Sequence, residues 1–296
     1  MHNRERVMRA FSRRGSHLRC VAIAGVLLAG LVVMALARAQ EKPDDDAIWK
    51  AFIGWFQTAP QERDLIEMYA AKLGAEGVSA TEVRRRLAAI VRLFSERPEG
   101  AEIFYDRTYS RPLTGDPASD SPRAPSAFVV EAAKGLKPGA ALDLGTGQGR
   151  NAVHLAREGW NVTGVDISQV GLDAAQSNAA RAGVVIRTEK GAYETYDLGV
   201  NRWDLIAVIF AWAPVSDPSF VARLRASLRP GGVVLFEHFI DDPERPYAPM
   251  VRALKPDELK KHFADFELVS YEETKTTADW GGPGSRVVRM VARKSA

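Results

Sequence analysis

The feature that most constrains the fold is a change of pattern near residue 126, where segments typical of helices and strands begin to alternate. Strands separated by helices need right-handed crossovers, and they predict a mostly parallel sheet covered by helices on both faces. The last two predicted strands have no helix between them, which predicts an antiparallel hairpin at one edge. The fold class is therefore α/β, a doubly wound sheet with a C-terminal antiparallel hairpin.

Each element of this sheet is predicted from a short apolar run or a helical period. The predicted strands are 140–144, 161–167, 184–188, 203–210, 233–239, 266–272 and 286–292. The predicted helices are 127–135, 151–158, a helix ending near 180, and 220–228. Gly281, Gly282, Pro283 and Gly284 are predicted to form the turn of the final hairpin.

A helical section precedes this pattern. Apolar stripes with a helical period run over 48–56, 65–69 and 83–94, and Ser79 with Glu82 forms a capping box before the third stripe. A loop rich in Pro, Ser and Asp follows at 111–125. We therefore expect a helical N-terminal section with its linker at 40–125 and an α/β domain at 126–296.

The first 39 residues predict a targeting segment. They contain seven arginines and one glutamate, and an apolar run from Val21 to Ala37 is followed by small residues typical of a cleavage site. A cleaved signal peptide is the first interpretation, and an uncleaved single-helix membrane anchor is the alternative. Because the arginines precede the apolar run, both place the rest of the chain outside the cytoplasm, in the periplasm or beyond the cell.

Charge and cysteine content exclude several classes of function. The formal net charge is +3, but residues 1–39 hold +6 of it, so the remainder is slightly acidic and no nucleic-acid partner is expected. Membrane contact is expected only through the N-terminal segment. Cys20, the only cysteine, lies in that segment, so a cleaved product has neither a disulfide nor a catalytic cysteine. No group of residues has the spacing of a metal site.

A glycine-rich loop carries the chemistry. Asp143-Leu-Gly145-Thr-Gly147-Gln-Gly149 ends a predicted strand and opens a helix, which brings backbone N–H groups close to a ligand. Asp166, about twenty residues further on at the end of the next strand, is placed to accept both hydroxyls of a ribose. The pattern predicts a ligand that contains a nucleoside.

Two residues near the loop select among nucleoside ligands. Arg150 stands where a dinucleotide fingerprint has its third glycine, which disfavours a nicotinamide-dependent oxidoreductase. Asp143 would repel a pyrophosphate, whereas its carboxylate suits the ammonium and sulfonium groups of S-adenosylmethionine.

This combination resembles the class I S-adenosylmethionine-dependent methyltransferases. The stretch from Gly147 to Ser168 is similar to their small-molecule branch, which includes tellurite-resistance and thiopurine-type enzymes. Segments 203–206 and 228–232 match the fourth and fifth strands of that family, and the resemblance runs from about Phe104 to the end of the chain. It implies a Rossmann-like seven-stranded sheet and S-adenosyl-L-methionine as cofactor.

The resemblance also implies site residues. The glycine backbone would bracket the methionine portion with Asp143 near its amino group, Asp166 would hold the ribose, and Ile167 would pack on the adenine. The family's acid after the third strand is missing, since Gly191-Ala192-Tyr193 occupies that stretch, and Glu194 or the backbone near Ala192 is expected to replace it. The predicted cofactor-binding residues are Asp143, Gly145, Gly147, Gly149, Asn151, Asp166, Ile167, Glu194 and Phe210.

Candidates for the acceptor side follow the fourth and fifth predicted strands. His238 is the candidate general base, with a structural hydrogen-bonding role as its alternative. Tyr105 and Tyr109 are expected to close over the cofactor, or to serve packing alone, and the segment 278–281 to reach the mouth of the site. The other candidates are Phe210, Ala211, Trp212 and Glu237, whereas Asp241, Asp242 and Glu244 are expected to form only an acidic loop.

These expectations converge on an S-adenosylmethionine-dependent methyltransferase with a small-molecule acceptor. The alternative is an exported binding protein that keeps the fold and has lost turnover. Fold alone does not decide between them.

Overall fold

The computed structural model describes residues 45–60, 65–110, 124–244, 253–279 and 282–295. These residues fall into two compact units that divide between Leu93 and Phe94. Within the described ranges, no helix has both the length and the apolar character needed to cross a membrane. The predicted signal or anchor segment at 1–39 lies outside these ranges, and so does most of the loop at 111–125.

The first unit is built from helices α1 (45–58) and α2 (Leu65–Ala75) and from α3 (Ala80–Glu96) as far as Leu93. Its apolar stripes meet in a core in which the rings of Phe52 and Tyr69 are 5.0 Å apart. At the start of α3 the Glu82 backbone N–H donates to the Ser79 hydroxyl at 3.3 Å. The Glu82 carboxylate instead pairs with Arg85 and Arg86, so one of the two hydrogen bonds of the expected capping box is present.

The second unit contains one seven-stranded sheet and its covering helices. The helices are α4 (Pro98–Tyr109), α5 (Ala127–Ala133), α6 (Arg150–Arg157), α7 (Gln169–Arg181), α8 (Pro218–Ser227) and α9 (Glu258–His262). The strands are β1 (Ala140–Leu144), β2 (Asn161–Asp166), β3 (Arg187–Lys190), β4 (Trp203–Ile209), β5 (Leu228–Phe239), β6 (Glu267–Ala278) and β7 (Gly282–Arg293).

The strand order is β3-β2-β1-β4-β5-β7-β6. Strands β1 to β5 pair in parallel, whereas β7 is antiparallel to both β5 and β6. The predicted fold class is confirmed. Alternate residues of β4 pack on opposite faces: Leu205 and Ala207 face a core shared with α5, α6 and α7, and Ile206 and Val208 face one shared with α8 and α9. Burial on both faces explains why β4 is a continuous apolar run.

Several elements differ from the sequence prediction. Strand β5 begins at Leu228 instead of 233, and helix α9 was not predicted. Strand β3 begins at Arg187, and Val185 is 90% exposed ahead of it, so the apolar run at 184–186 belongs to the turn. The final hairpin is longer than predicted, because Gly282 pairs with Ala278 of β6 and residues 282–284 lie within β7 instead of forming the turn. Helix α4, which the sequence grouped with the N-terminal section, belongs to the unit that contains the sheet. The predicted domain boundary at 125 stays a prediction.

Candidate cofactor site

The glycine loop joins β1 to α6 at the carboxyl edge of the sheet. The backbone N–H groups of Gly145 and Thr146 both donate to the Val165 carbonyl, at 2.8 and 3.0 Å. Gly145, Gly147 and Gly149 have φ values of 83°, 52° and 80°, a region that strains any residue with a side chain. The loop therefore folds as the three glycines predict, and Gly149 directly precedes the first turn of α6.

Asp166 connects this loop to the next helix. One carboxylate oxygen accepts the Gly147 N–H at 2.8 Å and the other accepts the Ser168 N–H at 2.9 Å. Burial raises the pKa of Asp166 to about 6, and these backbone hydrogen bonds oppose the rise. Ribose hydroxyls would donate to the lone pairs of this carboxylate that the backbone leaves unused.

Asp143 is the second buried carboxylate at this edge. It accepts the Thr146 hydroxyl at 2.7 Å and is 2% exposed. Burial raises its pKa to about 6, and the hydrogen bond from Thr146 works in the opposite direction. A cationic group placed beside Asp143 would favour its ionised form, so the site is suited to an ammonium or sulfonium ligand.

Two tyrosines press directly on the glycine loop. A Cβ atom added to Gly147 would lie 2.7 Å from the Tyr109 hydroxyl, and one added to Gly145 would lie 2.7 Å from the Tyr193 hydroxyl. Burial raises the pKa of both phenols well above their usual value, so they remain neutral. Glycine is therefore required at 145 and 147, because any larger residue would collide with the Tyr193 or the Tyr109 side chain.

Helix α4 is tied to the same edge by polar contacts that the sequence did not reveal. Asp106 accepts the Ser168 hydroxyl at 2.6 Å, and Glu102 pairs with Lys190 at 2.7 Å. The Gln148 side chain donates to the Tyr109 carbonyl at 3.1 Å. Tyr109 thus lies over the loop, and Asp106 and Glu102 hold its helix there. Closure of Tyr105 and Tyr109 over the cofactor stays a prediction. No local motif marks these acids, because their partners lie in distant segments.

The segment after β3 does not bring an acid to the loop. Glu194, the predicted substitute, is exposed, and its backbone carbonyl accepts a hydrogen bond from Arg223 at 2.8 Å. Tyr193, one residue earlier, is the side chain that reaches Gly145. Ile167 is partly buried at the start of the turn that leads to α7.

Asn151 and Glu237 join in a buried polar network behind the loop. The Asn151 Oδ1 atom accepts the Ser126 N–H at 2.9 Å, and the Ser126 hydroxyl donates to Glu237 at 2.7 Å. Arg289 on β7 donates to the other Glu237 oxygen at 2.8 Å. Through these hydrogen bonds, Asn151 and Glu237 hold the start of α5 against the end of β5. The predicted contact of Asn151 with the cofactor stays a prediction, and its Oδ1 atom is engaged by the start of α5.

The end of β4 combines aromatic rings with a strained backbone. Phe210 has a φ of 50°, which is unusual for a bulky residue, and its N–H donates to the Glu237 carbonyl at 2.7 Å. Its ring lies 4.9 Å from that of Phe239. His238, the candidate base, is 3% exposed and packs among the rings of Phe210, Phe236 and Phe239.

Trp212, two residues after Phe210, belongs to a second aromatic group that it forms with α4. Its ring centroid is 6.2 Å from that of Phe104 and 5.7 Å from that of Tyr105, which in turn stacks on Tyr109 at 5.8 Å. Ala211 lies beside Gly145. The predicted aromatic candidates are thus brought together at the edge of the sheet.

The β6–β7 hairpin reaches the start of α6. Asp279 pairs with Arg150 at 2.8 Å, and Ala278 is buried in a cluster with Phe210 and Phe239. The contact supports the expectation that this segment approaches the mouth of the site, although Trp280 and Gly281 lie outside the described residues.

The acidic loop after β5 is only partly solvated. Glu244 is exposed and pairs with Lys275 at 2.7 Å, as a solvated loop predicts. Asp242 is 6% exposed, and its carboxylate accepts the Glu244 N–H at 3.1 Å, so it shapes the turn.

The charges and hydrogen-bonding groups at this site are those that S-adenosylmethionine would need. Two buried carboxylates, Asp143 and Asp166, match its ammonium, sulfonium and ribose groups. Between them lies a loop in which added Cβ atoms meet side chains at 2.7 Å, which is closer than ordinary contact. The fit therefore depends on how the Tyr109 and Tyr193 side chains are placed.

Comparison with known proteins agrees with the fold of this domain. A family model described as a methyltransferase domain matches residues 141–232, which run from β1 to the early part of β5. TehB from Haemophilus influenzae, a solved structure, superposes with a TM-score of 0.50 at 24% identity, covering 66% of this chain and 67% of that one. At that identity the likeness shows the fold alone.

Two curated relatives extend the comparison. Hemagglutinin 1 of Eikenella corrodens is 34% identical over 150 residues, which are 49% of this chain and 49% of the relative. The ubiquinone biosynthesis O-methyltransferase of Serratia proteamaculans is 32% identical over 111 residues, 37% of this chain and 46% of the relative. The chain spans about half the length of the curated relatives it matches.

The sheet order, the glycine loop and the matched family define a class I methyltransferase domain. The chain carries a class I S-adenosylmethionine-dependent methyltransferase domain, and the predicted resemblance to that class is confirmed. The likeness to its small-molecule branch stays a prediction.

Proposed function

We propose that the protein is an S-adenosylmethionine-dependent methyltransferase that acts on a small-molecule acceptor. The observation that carries the proposal is the pair of buried carboxylates, Asp143 and Asp166, on either side of the glycine loop. The name of the Serratia relative, a ubiquinone biosynthesis O-methyltransferase, supports a small acceptor that is methylated on oxygen.

The chemistry asks the protein mainly to align two partners. S-adenosylmethionine supplies a methyl group already activated by a sulfonium. Asp143 would hold the ammonium group and Asp166 the ribose, which fixes the donor in one orientation. An acceptor oxygen that attacks the methyl carbon loses its proton, and His238 at the end of β5 is the candidate to receive it. Its burial among Phe210, Phe236 and Phe239 would keep water away from that step.

The second candidate is a binding protein that retains the fold without turnover. The contact of Tyr109 and Tyr193 with the glycine loop favours it, because both rings cover the surface where a donor would lie. Export also favours it. We propose that the N-terminal segment exports the protein, with anchoring by a single helix as the alternative, and no supply of the cofactor outside the cytoplasm is evident from the chain.

Calorimetric titration of the full chain with S-adenosylmethionine, S-adenosylhomocysteine and NAD tests the proposal. We expect the first two to bind and NAD not to bind, with binding lost in Asp166→Ala. Asp173→Ala is the matched control, since Asp173 is an exposed acid on α7. A folded protein that binds neither adenosyl compound would eliminate the enzyme and favour the binding protein. Formation of S-adenosylhomocysteine in the presence of phenolic and carboxylic acceptors then tests turnover.

A further inference from the structure

Tyr193 lies in the segment after β3, where related methyltransferases have an acid that binds the adenine, and it contacts the glycine loop. After β3 the chain turns through Gly191–Tyr196, and the Tyr193 hydroxyl comes to lie over Gly145. The Ala211 methyl group lies at the same 2.7 Å from the added Cβ position. Gly145 is thus covered from two directions by the chain's own atoms.

This turn is held from outside the site by one arginine. Arg223 on α8 donates to the backbone carbonyls of Glu194 at 2.8 Å, Tyr196 at 2.6 Å and Tyr193 at 3.3 Å. The planar fork of a guanidinium makes such a multiple contact possible, and a lysine would not reproduce it. Arg223 therefore fixes the backbone from which the Tyr193 ring projects.

Two further contacts hold the turn. The Gly191 N–H donates to the Asp166 carbonyl at 3.0 Å, and the Tyr196 hydroxyl donates to Glu189 at 2.8 Å. The turn is consequently anchored to the ribose-side strand β2 and to β3. Of these side chains, Tyr193 is the one that lies against the glycine loop, so access to Gly145 depends on where its ring is placed.

We propose that Tyr193 is an affinity-determining residue that competes with the cofactor for the surface of Gly145, and that Arg223 acts through it as a positioning residue. The inference rests on the proposed function, because it presumes that S-adenosylmethionine binds along the glycine loop. No ligand atom fits between Gly145 and the phenol at the present separation. Binding therefore requires the Tyr193 side chain to leave.

The energetic consequence follows from the population of the open arrangement. When only a fraction of molecules is competent to bind, the apparent dissociation constant rises by the inverse of that fraction. A competent state of about 10% or less would weaken binding about tenfold or more. Removal of the ring would recover that factor without adding any contact to the ligand.

The test is calorimetric titration of the full chain with S-adenosylhomocysteine, which needs no acceptor and no turnover. We expect Tyr193→Ala to bind about tenfold more tightly, and Tyr193→Phe to gain much less because the ring remains. Arg223→Lys should give an intermediate gain through a looser turn. Tyr271→Ala, which removes a partly buried tyrosine on β6, controls for general loss of packing. Stopped-flow association rates should rise with the affinities.

Each outcome separates this inference from the proposal on which it rests. Equal or weaker binding in Tyr193→Ala, with wild-type binding intact, overturns the role of Tyr193 and leaves the methyltransferase proposal standing. Absence of binding in wild type and in every folded variant overturns both. If Tyr193→Ala does not fold, Arg223→Lys decides, since unchanged affinity and association rate in that variant contradict the inference.

Discussion

Two regions at the carboxyl edge of the parallel sheet are built from different kinds of residue. At the ends of β1 and β2 the site consists of backbone N–H groups and carboxylates from residues close in sequence, such as Asp143 and Thr146, three residues apart. At the ends of β4 and β5 it consists of aromatic rings and a buried ion network whose members are far apart: Ser126 and Glu237 are separated by 111 residues.

The two regions differ in what their residues contribute: one mainly stabilises the fold and the other mainly binds the ligand. We call the first region, at the ends of β1 and β2, the donor side. Burial raises the pKa of Asp143 and Asp166 there, so their ionisation at neutral pH lowers the stability of the folded protein. In the second region, the acceptor side, Glu237 is buried with partners for both of its oxygens. We expect changes on the acceptor side to unfold the protein and changes on the donor side to weaken ligand binding.

The largest effect is expected for Glu237→Ala on the acceptor side. The change leaves the Arg289 guanidinium and the Ser126 hydroxyl without their buried partner, which costs about 3–5 kcal/mol in the free energy of unfolding. Denaturant unfolding followed by circular dichroism measures the loss. Glu272→Ala is the matched control, because Glu272 pairs with the same arginine but is exposed, and its loss should cost less than about 1 kcal/mol. Equal losses in the two variants would contradict the assignment of stability to the buried network.

On the donor side, Asp166→Ala should abolish most of the cofactor affinity. The change removes the acceptor for two ribose hydroxyls and frees the Gly147 and Ser168 N–H groups that it orients. Loss of two hydrogen bonds to a charged group corresponds to about 100-fold weaker binding. Titration with S-adenosylhomocysteine measures it, with Asp173→Ala as control. Wild-type affinity in Asp166→Ala would show that the donor side does not hold the ligand.

The same contrast explains what the sequence could predict. The glycine loop, Asp143 and Asp166 are set by a local motif whose backbone geometry leaves few alternatives, and the mostly parallel sheet follows from the alternation of helices and strands. Burial of Asn151 and Glu237 against Ser126 was not predictable, because their partners meet only after the sheet has formed. The direction of Tyr193 depends on Arg223, which lies 30 residues away. Side-chain direction within a turn leaves no periodic pattern in the sequence.

Acidification should separate affinity from stability on the donor side. Asp143 and Asp166 have pKa values raised from 3.8 to about 6, so both are mostly protonated at pH 5. Affinity for S-adenosylmethionine should fall about 100-fold between pH 7 and pH 5, because each of the two carboxylates is ionised only about one-tenth of the time one unit below its pKa. Calorimetry in buffers of different ionisation enthalpy at pH 6 should show proton release on binding.

These two groups make the opposite contribution to the stability of the ligand-free protein. Since the folded pKa lies above the unfolded value, the folded state binds more protons between pH 3.8 and about pH 6. Their contribution to stability is therefore greatest below pH 3.8 and is lost as the pH rises through 6. Asp143→Asn should flatten the pH dependence of both affinity and melting temperature between pH 5 and pH 7. If Asp143→Asn keeps the wild-type pH dependence, a group other than Asp143 is responsible for it.

The smallest effect is expected where the donor side meets α4. The Ser168 hydroxyl accepts the Gly171 N–H at 3.0 Å, which caps α7, and it donates to Asp106 on α4 at 2.6 Å. Ser168→Ala removes both contacts and should cost about 1 kcal/mol in the free energy of unfolding. Ser177→Ala, an exposed serine within the same helix, should change it by less than about 0.5 kcal/mol. If α4 holds Tyr109 over Gly147 through this contact, Ser168→Ala should also raise the association rate of S-adenosylhomocysteine. An unchanged rate alongside the expected loss of stability would limit Ser168 to helix capping.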